Sequence, residues 1–235
     1  MNIVVCNDDK EIGERISEEI VSLLKEKPSA VLGLATGSSP LPTYDCLIQS
    51  YKNGEVSFKD VRSFNLDEYI NPPFEEATYS FFMKDNFFNH VDININNTHF
   101  PSKENMNSYD EEITNAGGID FQILGIGRDG HIGFNEPNTP FDSKTHIAKL
   151  DESTRIANAR FFHSLDETPT EAVTMGLESI MKSKHIVMII SDLTKLDALK
   201  ALLKEKEDIA WPATILVNHK STEIFVTKEV IDAVK

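Results

Sequence analysis

The chain has 235 residues, 40% of them hydrophobic and 26% charged, and a formal net charge of −15 at pH 7. The apolar runs are too short to span a bilayer, and the acidic charge argues against nucleic acid as a partner. Any anionic ligand must therefore be bound by local groups, such as a helix N-terminus with a few basic side chains. Because Cys6 and Cys46 are the only cysteines and residues 1–30 lack a signal-peptide pattern, we expect a cytoplasmic protein without a disulfide framework.

The apolar pattern predicts alternating strands and helices in the first half of the chain. Residues 2–7 are predicted to form a buried strand, and residues 8–27 a helix, because isoleucine and leucine recur there at helical spacing. The following elements are a strand at 30–35, a helix at 42–51, a strand at 61–66 and an aromatic-rich helix at 78–89.

The second half continues this alternation. The predicted elements are helices at 103–115, 169–182 and 194–205, strands at 121–126, 145–150, 185–191, 214–219 and 223–228, and a short terminal helix. Strands that alternate with helices are typical of a parallel sheet covered on both faces. We therefore expect one α/β domain over residues 1–235, with ligands bound beyond the carboxyl ends of the strands.

Residues 125–130 contain the pattern G-x-G-x-x-G directly after a predicted strand. In a nicotinamide-binding enzyme the third glycine opens a helix, and an acidic residue follows about 20 positions later. Asp151 could supply that acid, but Pro137 and Pro140 exclude a helix of useful length. The pattern favours a loop over the strand end, and a nicotinamide oxidoreductase stays a minority alternative.

The same loop carries three chemically useful side chains, Asp129, His131 and Glu136. Histidine titrates near neutrality, and a neighbouring carboxylate can fix its tautomer and raise its pKa. The alternative is a solvated turn whose charges are incidental. The glycine, asparagine and proline residues around this group, just past a buried strand, favour a catalytic proton relay.

A glycine- and hydroxyl-rich loop joins the predicted strand at 30–35 to the next helix. It consists of Thr36, Gly37, Ser38 and Ser39. Free amides at a helix start attract anions, so the loop is a candidate phosphate site, although it lacks the lysine of a P-loop. The alternative is an ordinary capped turn between a strand and a helix.

Three further charged residues are candidates. Asp67 follows a predicted strand, where a general base for a carbon acid would lie, although exposed acidic residues are common in so acidic a chain. Arg160 beside two phenylalanines calls for an anionic partner, and Lys195 in the first turn of a helix opposes the helix dipole unless an anion binds there. An ion pair for Arg160 and a solvated side chain for Lys195 are the structural alternatives.

The segments ATGSSP, FNLDEY, LGIGRDGHIGFNEP, ANARFF and AVTMG occur in this order and closely resemble glucosamine-6-phosphate deaminases over nearly the whole chain. The related 6-phosphogluconolactonases usually continue the glycine-rich turn as GHTASLFP rather than GHIGFNEP. The resemblance implies an open Rossmann-like, mostly parallel sheet with helices on both faces and no metal or cofactor. It also implies the conversion of glucosamine 6-phosphate and water to fructose 6-phosphate and ammonia.

The resemblance further implies the roles of the candidate residues. Asp67 would move a proton from C2 to C1, and His131, supported by Asp129 and Glu136, would open the pyranose ring. Loop 36–39, together with Arg160 and Lys195, would hold the phosphate. Residues 150–170 resemble the lid that brings the arginine to the ligand.

Some positions depart from the family pattern. Asn138 and Asp192 stand where glycine is usual, and segment 70–79 is shorter than usual and lacks a histidine. A galactosamine-6-phosphate deaminase and a 6-phosphogluconolactonase-type hydrolase therefore remain alternatives. The chain also ends soon after residue 225, without the tail of hexameric members, so we expect a monomer or a weak homo-oligomer.

Overall fold

A seven-stranded parallel sheet forms the centre of the computed structural model, which describes residues 1–159 and 162–234. The strands in the described residues are β1 (Asn2–Cys6), β2 (Val31–Leu34), β3 (Arg62–Asn65), β4 (Asp67–Tyr69), β5 (Thr98–His99), β6 (Phe121–Leu124), β7 (His146–Lys149), β8 (Glu171–Thr174), β9 (Ile186–Ile190) and β10 (Thr222–Thr227). The large sheet has the order β1-β10-β9-β6-β2-β3-β5. The predicted mostly parallel α/β fold is confirmed.

A second, antiparallel sheet of three strands has the order β4-β8-β7. Strand β4 begins two residues after β3 ends, so the chain passes directly from the large sheet into the small one. In its register Asp67 stands opposite Thr174. The small sheet therefore lies beyond the carboxyl end of β3, where a parallel sheet offers its ligand crevice.

Helices connect the strands. Those in the described residues are α1 (Asp9–Glu26), α2 (Leu41–Lys52), α3 (Tyr79–Asn86), α4 (Tyr109–Asn115), α5 (Glu152–Asn158), α6 (Leu177–Met181), α7 (Leu196–Leu202) and α8 (Lys228–Asp232). Strands β2, β6 and β9 are buried at every position, as expected for parallel strands with both faces covered. None of the helices among the described residues is long and apolar enough to cross a membrane.

Two predicted elements are wrong in type. The helix expected at 169–182 is strand β8 followed by helix α6, because EAVT pairs with β4 and β7 on both sides before the chain turns at Gly176. Residues 214–218 of the strand expected at 214–219 belong to a 3₁₀ helix, Pro212–Asn218. Proline at its first position favours a helical start, and Thr214 bonds back to the carbonyl of Trp211 instead of joining a sheet.

Two other predictions are wrong in detail. Strand β1 is an edge strand that pairs only with β10, and Ile3 and Val5 are exposed rather than buried. The helix expected from residue 103 begins at Tyr109, because Ser102 and Asn105 form side-chain hydrogen bonds that hold the preceding residues in turns.

Candidate active site

The loop after β6 folds back on itself and places His131 over Gly127. The Gly127 amide donates to the His131 carbonyl at 2.8 Å, and a Cβ on Gly127 would lie 2.3 Å from the imidazole ring. Glycine is therefore required for the ring to lie there. Residues 131–145, all of them described, form turns and no helix, which confirms the predicted loop and removes the nicotinamide alternative.

Asp129, His131 and Glu136 form the predicted charged cluster. His131 Nδ1 lies 2.7 Å from Asp129 Oδ1 and 3.4 Å from Glu136 Oε2. Burial alone would lower the pKa of His131, but its contacts with the two carboxylates outweigh burial and raise that pKa to about 9. Burial would raise the pKa of Asp129, and the contact with His131 reverses this and lowers the pKa to about 2. The cluster therefore holds a proton on the imidazole at neutral pH.

Asp67 is the first residue of β4 and is only 7% exposed. Burial raises the pKa of its carboxyl group to about 7, the charge of Glu68 acts in the same direction, and the charge of His131 opposes both. A Cβ on Gly133 would lie 3.4 Å from Asp67 Oδ2, so the loop that carries His131 passes directly over this carboxylate. Asp67 and the histidine cluster therefore share one crevice.

The second half of the loop is anchored to β8 and the residue after it. The Phe134 amide donates to Thr174 Oγ1 at 3.0 Å, and Asn135 Nδ2 donates to the carbonyls of Ile132 and Met175, both at 2.8 Å. Sequence reasoning missed Thr174 and Asn135 as site residues. The AVTMG segment was the available signal, because its threonine is the register partner of Asp67.

Glu68 fixes the strand that carries Asp67. Its Oε1 accepts from the amides of Tyr69 at 2.9 Å and Tyr79 at 2.8 Å, and its Oε2 accepts from Ser80 at 2.9 Å. Burial raises the pKa of Glu68, and these amide bonds oppose that rise. The carboxylate thus occupies the N-terminus of α3, where the helix dipole favours negative charge, and joins α3 to β4.

Loop 36–39 follows β2, whose neighbours in the sheet are β3 and β6. Gly37 has a φ of 91°, a backbone conformation that favours glycine. Helix α2 starts after Pro40 without a side-chain cap, and Ser38 is exposed. Because the carboxyl ends of adjacent parallel strands meet at one edge, the loop lies on the same side of the sheet as Asp67 and His131.

Lys195 follows β9, the neighbour of β6 on its other side, and is half-buried at the end of a 3₁₀ turn. Asp192 caps this turn by accepting from the Thr194 amide at 2.7 Å. Hydrogen bonding to Thr194 is the main cause that lowers the pKa of Asp192, and the charges of Lys195 and Arg128 lower it further. Two basic side chains therefore lie near this edge of the sheet. Arg160 lies outside the described residues.

Asn138 adopts a glycine-like backbone at the exit of the loop. Its φ is 71°, and its amide donates to the Ile209 carbonyl at 2.8 Å. Asparagine tolerates the left-handed region better than most residues. The departure from glycine at this position is therefore compatible with the same turn.

The histidine cluster could also hold a cation. Asp129, His131 and Glu136 each offer one ligand atom, and these atoms lie within 4.8 Å of one another. A metal bound there would replace the proton on His131 Nδ1, because the Nδ1 lone pair would be its ligand. Metal binding and the proton relay are therefore competing uses of the same three groups.

Comparison with known proteins gives consistent results. Residues 9–226 match the model of the family described as glucosamine-6-phosphate isomerases/6-phosphogluconolactonase. A glucosamine-6-phosphate deaminase of Malacoplasma penetrans is 46% identical over 235 residues, covering 96% of this chain and 97% of that protein. Another, from a Thermoanaerobacter species, is 46% identical over 236 residues, with coverage of 97% and 93%.

Solved structures show the same likeness. A monomeric glucosamine-6-phosphate deaminase superposes with a TM-score of 0.96 at 37% identity, covering all of both chains. The 6-phosphogluconolactonase of Thermotoga maritima superposes with a TM-score of 0.75 at 22% identity, covering 97% of this chain and 99% of that one. The second likeness shows a shared fold alone.

Proposed function

The chain belongs to the family of glucosamine-6-phosphate isomerases and 6-phosphogluconolactonases, and on that premise we propose that it is a glucosamine-6-phosphate deaminase. It converts glucosamine 6-phosphate and water to fructose 6-phosphate and ammonia. The observation that carries the assignment is the buried carboxylate of Asp67 in the same crevice as His131. The identity of 46% to curated deaminases over nearly the full chain supports it.

Ring opening is the first step, and we assign it to His131. The pyranose opens when its ring oxygen gains a proton and the anomeric hydroxyl loses one. His131 carries a proton at neutral pH because Asp129 and Glu136 raise its pKa to about 9. The imidazolium gives a proton to the ring oxygen, the C1–O5 bond breaks, and the imidazole takes the anomeric proton, which regenerates the imidazolium.

Isomerisation is the second step, and we assign it to Asp67. In the open-chain amino aldehyde the C2 proton is acidic because C2 adjoins the carbonyl. The Asp67 carboxylate removes this proton while water gives one to the carbonyl oxygen, which forms an enolamine with a hydroxyl at C1. Asp67 then returns its proton to C1 and the C2 amine gives one back to water, which leaves an imine at C2. Water then adds to C2 and ammonia leaves, which gives the ketone. A pKa of about 7 suits this role, because the carboxylate is more basic than an ordinary one and about half of it is ionised at neutral pH.

Substrate phosphate is held by loop 36–39, Lys195 and Arg160 in this proposal. The position of the loop at the end of β2, beside β3 and β6, supports the assignment to loop 36–39. The half-buried Lys195 at the same edge of the sheet supports the assignment to Lys195. The role of Arg160 is proposed from the sequence resemblance, in which segment 150–170 is the lid that carries this arginine.

Galactosamine 6-phosphate and 6-phosphogluconolactone are the two alternative substrates. The test is to incubate the protein with each compound, without metal or nicotinamide, and to measure ammonia, ketose phosphate and lactone hydrolysis. We expect ammonia and fructose 6-phosphate in equal amounts from glucosamine 6-phosphate. Lactone hydrolysis without ammonia release would overturn the assignment, since hydrolysis does not need a base at C2. Faster turnover of the galacto epimer would change only the sugar.

We further propose that residues 1–235 work as one domain, as a cytoplasmic monomer or weak homo-oligomer. The likeness to a monomeric deaminase over the full length of both chains supports a single domain and a monomer. The free thiols of Cys6 and Cys46 support a reducing compartment. Sedimentation at micromolar concentration tests the assembly, and a stable hexamer would contradict it.

A further inference from the structure

A side chain on α5 reaches the histidine cluster from outside the loop. Thr154 is 6% exposed, and its hydroxyl donates to Glu136 Oε1 at 2.7 Å. Glu136 is itself 8% exposed. This bond joins the 150–170 segment to a residue of the charged cluster, and sequence reasoning gave Thr154 no role.

The two oxygens of Glu136 have different neighbours. Oε1 accepts from Thr154, and Oε2 lies 3.4 Å from His131 Nδ1. The last torsion of a glutamate side chain is soft, so packing alone does not fix the direction of the carboxylate plane. A donor on Oε1 fixes it, and Oε2 then points toward the imidazole.

The neighbouring residue ties α5 to the rest of the same segment. The Arg155 guanidinium donates to the Leu165 carbonyl at 2.9 Å and to the Thr168 carbonyl at 3.1 Å. Arg155 therefore holds the residues that precede β8 against the helix, while Thr154 holds the helix against Glu136. The position of the segment and the direction of the Glu136 carboxylate are thereby linked.

We propose that Thr154 is a positioning residue for ring opening, acting through Glu136. Its hydroxyl directs Glu136 Oε2 at His131, so that a residue of α5 completes the relay. This inference rests on the proposed function, in which His131 opens the sugar ring. Without the hydroxyl, Oε1 is a buried acceptor lacking this donor, and the carboxylate turns away from the imidazole to find another.

The test compares Thr154→Val, which keeps the shape and removes the hydroxyl, with Thr154→Ser, which keeps the hydroxyl. We expect Thr154→Val to lower kcat for glucosamine 6-phosphate roughly tenfold, the effect of losing one hydrogen bond to a charged group. Thr154→Ser should keep kcat within about twofold on the same scale. Binding of 2-amino-2-deoxyglucitol 6-phosphate, which has no ring to open, should be unchanged in both variants.

Thr168→Val is the matched control. Thr168 is also buried in this segment, and its hydroxyl contacts the Ser164 carbonyl at 3.4 Å rather than the cluster. If Thr154→Val does not fold, Thr154→Ala against Thr154→Ser makes the same comparison. Equal kcat for the valine and serine variants, or an equal loss in Thr168→Val, would overturn the inference.

Failure of the inference is distinguishable from failure of the proposed function. A Glu136→Gln variant with low activity beside a fully active Thr154→Val would reject the role of Thr154 alone. A wild-type protein that releases no ammonia from either amino sugar would reject the proposed function itself.

Discussion

The imidazole of His131, far from Asp67 in the chain, lies close enough for its positive charge to act on the carboxyl group of Asp67. Burial raises the pKa of Asp67, and the positive charge of His131 limits the rise. This arrangement depends on the second sheet, which brings β4 under the glycine-rich loop, and on Gly133, where a Cβ would lie only 2.7 Å from Thr174 Oγ1. An acid and a base of this kind in one crevice match a reaction that needs two separate proton transfers.

Replacing Asp67 with asparagine removes the proposed base for C2. We expect Asp67→Asn to lower kcat by a factor of about 10² to 10⁴, the usual contribution of a general base. Binding of 2-amino-2-deoxyglucitol 6-phosphate should survive, because the proposed phosphate site does not include Asp67. Calorimetric titration beside steady-state ammonia release checks both points, and an active Asp67→Asn variant would disprove the assignment.

The same substitution changes stability in a pH-dependent way. The pKa of Asp67 rises from 3.8 to about 7 on folding, so the folded state loses stability as pH increases through this interval. Asp67→Asn avoids this cost, which approaches about 4 kcal/mol at pH 8. We expect urea denaturation to show a more stable variant at pH 8 and no such advantage at pH 4. An advantage that is the same at both values would show that the carboxyl group is not perturbed.

The pH dependence of kcat/KM should have two limbs. Activity should fall below about pH 7 as Asp67 gains a proton, and above about pH 9 as His131 loses one. Asp129→Asn removes one of the charges that hold the proton on His131. In that variant the alkaline limb should move to lower pH while the acidic limb stays in place. A shift of the acidic limb alone would contradict the assignment of the alkaline limb to His131.

His131→Gln tests the ring-opening step. The variant should lose more activity on glucosamine 6-phosphate than on an analogue that lacks the C4 and C5 hydroxyls and so cannot close a furanose or pyranose ring. The two rates, measured as ammonia release, separate ring opening from isomerisation. Equal losses on both substrates would place His131 in the later step instead.

Gly127→Ala tests the position of the imidazole. The added Cβ would lie 2.3 Å from the His131 ring, so the ring must move. We expect activity to fall at least tenfold, with a loss of about 1 to 3 kcal/mol in stability from overpacking. Gly125→Ala is the matched control, because a Cβ there meets nothing within 4 Å. Equal activity of the two variants would show that the ring does not depend on this contact.

The histidine cluster was predictable because its members are close in sequence. Asp129, His131 and Glu136 share one loop, and the prolines that follow it exclude a helix. The position of loop 36–39 was equally predictable from the sequence, since the loop follows a fully apolar strand. Local pattern is enough when the interacting groups are neighbours in the chain.

The second sheet was not predictable from local pattern. Strand β4 has three residues, and β8 was taken as the start of a helix, because a strand this short is defined by its partners rather than by its own sequence. The raised pKa of Asp67 depends on burial by that sheet, and the Thr154–Glu136 bond depends on how α5 docks. Both need contacts between segments that are distant in the sequence.

A crystal structure with 2-amino-2-deoxyglucitol 6-phosphate bound would show whether Asp67 and His131 act on the same sugar. We predict the phosphate on loop 36–39, C2 facing the Asp67 carboxylate, and C1 near His131, with both protein groups within about 4 Å of the ligand, the range of direct contact. A ligand that contacts only one of Asp67 and His131, or a phosphate bound away from that loop, would contradict the account.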